Sequence, residues 1–136
     1  MKTIVSTLAL GVALAVATPA AAQTAADADT FVAKAEKELA DLNVYGQQVA
    51  WINNTYITDD TDAVAARVGT LGTELSVRLA GEAAKYQALP GLSADTKRKL
   101  DFLRGGLVLP APTTPGAANE LNTIATRLNS QYGKGK

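Results

Sequence analysis

The sequence predicts an all-α fold: a long antiparallel helix hairpin followed by two shorter helices that a proline-rich connector joins. Three observations predict it. Apolar residues recur every three or four positions through two long stretches, a residue able to cap a helix precedes each helical stretch, and no segment shows the two-residue alternation of a strand. No internal repeat is present.

The first 22 residues read as a signal peptide rather than as part of the fold. Lys2 supplies a basic start, and Ile4 to Val16 form an apolar run broken only by Ser6, Thr7 and Gly11. That run is shorter than the roughly 20 residues a membrane-spanning helix needs. Ala20 and Ala22 flank Ala21 in the small-x-small pattern of a processing site, which places cleavage between Ala22 and Gln23. Pro19 and the small residues suit processing better than retention as an anchor helix. Residues 23–136 are then expected in the periplasm or outside the cell, with no stable membrane anchor after cleavage.

Thr24 or Asp27 can cap the first helix, whose apolar stripe runs through Val32, Ala35, Leu39, Leu42, Tyr45, Val49, Ile52 and Tyr56 over roughly thirty residues. Lys34, Glu36, Lys37, Glu38 and Asp41 occupy its other face, and Gly46 is its weak point. Thr58, Asp59, Asp60, Thr61 and Asp62 mark the next start, since hydroxyl and carboxylate oxygens accept from unpaired amides and acids suit the positive helix end. The second stripe passes through Val64, Val68, Leu71, Leu75, Leu79, Ala83, Tyr86 and Leu89 and stops at Pro90-Gly91. So short a link makes the two long helices antiparallel neighbours.

Ser93 caps a third helix carrying Leu100 and Leu103 on one side and Lys97, Arg98 and Lys99 on the other, closed by Gly105-Gly106. Leu107 to Pro115 contains three prolines and reads as an extended connector lying on the core. Thr114 is expected to cap the last helix, with Pro115 at its first position and Leu121, Ile124, Ala125 and Leu128 on its inner face.

Thirteen basic and thirteen acidic residues cancel, and loss of Lys2 with the leader leaves twelve against thirteen. No charge excess exists to hold nucleic acid. The chain has no Cys and no His. Disulfides and thiolate ligation are therefore excluded, the usual base for nucleophilic catalysis is missing, and no Ser-x-x-Lys or Gly-x-Ser-x-Gly pattern occurs. Asp59, Asp60 and Asp62 lack the central Gly and bidentate Glu of a calcium loop and read as helix-start residues. From Gln47 to Thr58 neutral hydrogen-bonding side chains surround the sole Trp51. Such groups can line a cleft; alternatively Trp51 packs on the second helix while Asn53, Asn54 and Thr55 serve the helix end.

The pattern Trp51-x-x-Asn54-Thr55-x-Ile57-Thr58, late in the first long helix, resembles the amino-terminal lid of the angiotensin-converting-enzyme-like peptidyl dipeptidases, here in a bacterial member. The likeness continues in order through Asp62 to Tyr86, Lys97 to Leu100, Leu107 to Pro110, and Leu121 to Tyr132, nearly all of the chain after the leader. It implies a zinc metallopeptidase, a hydrolase that releases carboxyl-terminal dipeptides from oligopeptides beneath a helical lid. In that family two His of an H-E-x-x-H helix and a later Glu hold zinc, and chloride sites also lie in later segments. None of these residues is in this chain, so the resemblance assigns it no catalytic, metal or chloride residue and no cofactor of its own. Only the lid positions transfer: Asn54 first, with Trp51 and Thr55 beside it, facing the substrate cleft. Ala50 and Ile52 stand where the animal enzymes carry more Asn.

Residues 23–136 are accordingly expected to be the amino-terminal helical segment of a larger peptidase domain, inactive alone, with the remainder of that domain and an oligopeptide as partners. An uncovered apolar face, self-association or marginal stability should follow. The alternative is a self-contained periplasmic helical bundle that binds a protein or peptide.

Overall fold

Capping chemistry sets where each helix begins. In the computed structural model, which describes residues 23–106 and 114–135, α1 spans Ala25–Thr55 and opens on a reciprocal cap. The Asp27 amide donates to Thr24 Oγ1 at 3.2 Å, and the Thr24 amide donates to the Asp27 carboxylate at 2.8 Å. Thr58 and Thr61 repeat the device for α2, Asp59–Ala83, at 3.2 and 3.1 Å. Ser93 caps α3, Ala94–Gly105, accepting from the Thr96 amide at 3.0 Å. The last helix, α4, is Ala117–Gly133. With four helices and no strand among the described residues, the fold is all-α. The leader with Ala22, and 107–113 of the connector, lie outside the described residues.

Contacts between α1 and α2 run in opposite directions. Asn53 meets Asp62, Gly46 faces Val68, Glu38 pairs with Arg78, and Phe31 stacks on Tyr86 with ring centroids 5.1 Å apart. At the Phe31 end, α3 closes over both helices. Phe31, Val32, Ala35, Leu79, Ala83 and Leu100 form the buried core there, with Leu39, Leu75, Tyr86, Leu92 and Leu103 packed around it. Thr96 donates to Asp29 at 2.5 Å and Lys99 bridges to Glu36 at 2.8 Å, tying α3 to α1. At the other end α4 packs on α2, and its backbone makes no close approach to that of α1.

Three expectations are corrected. The regular part of α2 ends at Ala83 rather than at Pro90-Gly91. Tighter bonds then carry the chain onward, from the Tyr86 amide to Ala83 and from the Leu89 amide to Tyr86, both at 3.1 Å. Proline disfavours helical backbone in Leu89, so the helix could not have run up to Pro90, and it gives way to these turns several residues earlier.

Thr114 does not cap α4 and Pro115 is not inside it. The Ala117 amide donates to the Thr114 carbonyl at 3.1 Å across Pro115-Gly116, and Gly116, the capping residue, has φ of 84° and ψ of −16°. That is a type II turn, which requires positive φ at its third residue and so selects glycine.

The third correction concerns α4's orientation. Its expected inner residues Ile124, Ala125 and Leu128 are exposed and Leu121 is half-buried, whereas Ala118 and Ser130 are buried and Asn122 and Thr126 half-buried. The surface α2 offers explains this. Gly69 leaves room for the Asn122 side chain, which donates to Thr73 Oγ1 at 2.9 Å and to the Ala118 carbonyl at 2.8 Å. A small, polar seam on α2 is matched by the small, polar side of α4. Tyr45, Ile52 and Tyr56 of the α1 stripe, and Val64 and Leu71 of the α2 stripe, are likewise exposed, because no third helix covers both α1 and α2 at this end.

Candidate functional site

The last two turns of α1 carry Trp51, Asn54 and Thr55, the residues expected to face the cleft, at i, i+3 and i+4, a spacing that puts them on one side of the helix. Trp51 is 72% exposed and rests against Gln47, Gln48 and Ile52 on the outer surface of α1, so it does not pack on α2. Thr55 turns its hydroxyl back to the Trp51 carbonyl at 2.8 Å and the Ile52 carbonyl at 3.3 Å, serving the helix end. Asn54 is exposed, with no side-chain hydrogen bond among the described residues, and lies on a hollow of about 330 Å³ above α2. Gly46 and Ala50 continue that wall, Ala65 and Gly69 form the floor, and Thr126 and Asn129 of α4 stand opposite. Trp51 and Asn54 therefore border different depressions.

Asn53, which the sequence leaves among the helix-end residues, has a larger part. Its amide donates to Asp62 at 2.9 Å, and Lys134 reaches Asp62 at 3.6 Å and Asp59 at 3.0 Å, joining α1, α2 and α4 at the hairpin end. Ser130, Asn53 and Lys134 together hold the Asp62 carboxyl below its ordinary range, with the Ser130 hydroxyl contributing most and partial burial opposing. Because the folded value is depressed, this contribution to stability is complete above the ordinary carboxylate range of about 4 and is lost as pH falls through the folded value. Lys134 is raised, chiefly by its hydrogen bond to Asp59, so its contribution persists from below and fades only in strong base. The seam is thus insensitive to pH across the neutral range. Asn53 and Asp62 are close in sequence across a capped turn and could have been paired from it; Ser130 and Lys134 carry no such signal.

The residues present do not fit zinc. The chain has no imidazole or thiolate, and among the described residues no group of three or more acidic side chains converges as a metal site. The nearest acids, Asp59 and Asp62, already face Lys134. No described helix is long and apolar enough to cross a membrane.

No curated protein and no solved structure matches the chain. Residues 22–136 do match a family, Peptidase_M2, angiotensin-converting enzyme. That stretch takes in all four helices, from the cap of α1 to the end of α4. The chain belongs to the angiotensin-converting-enzyme family of peptidases.

Proposed function

We propose that this chain supplies the amino-terminal, cleft-covering helices of a periplasmic zinc peptidyl dipeptidase and releases no dipeptides by itself. One observation carries the reading: a family match over 22–136 falls on a sequence without a single histidine. Zinc chemistry needs ligands this chain lacks, so the metal, the water it activates and any chloride belong to the remainder of the domain.

The part left to these helices is recognition and cover. A lid limits which peptides enter and keeps bulk water from the cleft. Asn54 suits that work because its amide offers two donors and an acceptor and is committed to nothing else among the described residues. Trp51, exposed beside Ile52 and Val44, offers an apolar surface for the domain's remainder or for a peptide side chain. Thr55 holds the helix end from which both project. Removal of the leader before Gln23 would deliver the chain to the compartment where oligopeptides are trimmed.

The test is the reading frame beyond the codon for Lys136. An H-E-x-x-H followed by a later Glu is expected there; an immediate stop codon would instead favour a self-contained bundle that binds a partner.

A further inference from the structure

The apolar side of α4 is turned away from its own fold. Ile124 is 50% exposed, Leu128 61% and Tyr132 92%, with half-buried Leu121 completing a stripe at intervals of three and four. Such a stripe is the seam of a helix pair. Its flanks differ. On one side stand Glu120 and Arg127, both exposed and neither in an ion pair among the described residues. The other flank is Ala125 and Asn129, both exposed and without charge.

We infer that in this chain the α4 face takes a second copy of itself, in an antiparallel pair about a two-fold axis near Ile124. Charge complementarity selects both occupant and direction. Glu120 and Arg127 are seven residues apart, about 10.5 Å along the helix. Inversion about Ile124 brings Glu120 and Leu121 level with Leu128 and Arg127 of the second copy, so that the leucines share the seam and Glu120 lies beside Arg127 on its flank, twice by symmetry. A parallel partner would face the charged flank with the uncharged one and leave both charges unanswered. This surface is separate from the Trp51 side of α1, since the backbones of α1 and α4 do not approach closely, so the inference does not rest on the proposed lid function.

Sedimentation velocity on the chain at tens of micromolar tests it. A dimer is expected, and Glu120→Arg or Arg127→Glu alone should weaken it by about tenfold or more, since two attractions become two repulsions. Combining the two reversals should restore it, while Trp51→Ala leaves it unchanged. Both charged positions are exposed, so the folded chain is expected to tolerate the changes, which circular dichroism of each variant checks. A monomer, a dimer indifferent to the reversals, or one abolished by Trp51→Ala would overturn the inference.

Discussion

Replacing Leu100 with alanine is expected to lower the unfolding free energy by about 2–5 kcal/mol. Leu100 is fully buried and is the only α3 residue among the six buried members of the core cluster. Its removal takes away the one side chain that α3 inserts fully between α1 and α2. The loss includes both apolar transfer and the cavity left behind, because neighbours on three helices cannot all collapse into the space. Domains of this size hold only about 5–15 kcal/mol in reserve, so a large share of the total is at stake. Urea unfolding followed by circular dichroism measures it. Leu100→Met, which nearly conserves volume, should cost less than about 1.5 kcal/mol. Similar small losses for both variants would mean that the core is centred elsewhere.

Gly69→Leu is expected to detach α4. A Cβ at position 69 would lie 3.0 Å from Asn122 Cγ and 3.3 Å from Asn122 Cβ. Turning the Asn122 side chain about its Cα–Cβ bond relieves the first contact but not the second, because the Cβ moves only with the α4 backbone. Leucine's remaining carbons add to the conflict, so the helices must separate. Overpacking of this kind costs about 1–3 kcal/mol, against about 1 kcal/mol that replacing a mid-helix glycine returns in helix propensity. The seam loses more than the helix gains. A freed α4, 17 residues long, is marginal in water. Amide hydrogen exchange should accelerate across residues 117–133 while α1 and α3 keep their protection. Unchanged protection in α4 would show that the seam has slack to absorb a side chain at Gly69.

These two positions also mark how far the sequence could be read. Leu100 was legible: Ser93 caps its helix locally and its apolar neighbours repeat at helical spacing, so its helix and its inward side follow from nearby residues. Thr24, Thr58 and Ser93 were legible for the same reason, each acting on an amide three residues ahead. The contact between Gly69 and Asn122 was not, because it joins residues 53 positions apart and depends on an absent side chain. Hydrophobic periodicity reports which side of a helix favours leaving water. It does not report whether a neighbour is there to receive it, and for α4 the neighbour received the polar side instead. Of the expected lid positions, the sequence put Trp51, Asn54 and Thr55 late in the first long helix. It could not show that Asn54 shares its hollow with Thr126 and Asn129, since that requires α4 in position beyond α2.

In the proposed account the exposed Trp51 side of α1 is apolar surface left open for the remainder of a larger body. In the proposed account catalysis lies outside these residues, so its central claim concerns what the purified chain does not do. The direct measurement is zinc titration by calorimetry, paired with an assay of dipeptide release from a synthetic oligopeptide. The account predicts no stoichiometric zinc binding and no dipeptide above the rate without protein; one zinc bound per chain together with dipeptide release would contradict it.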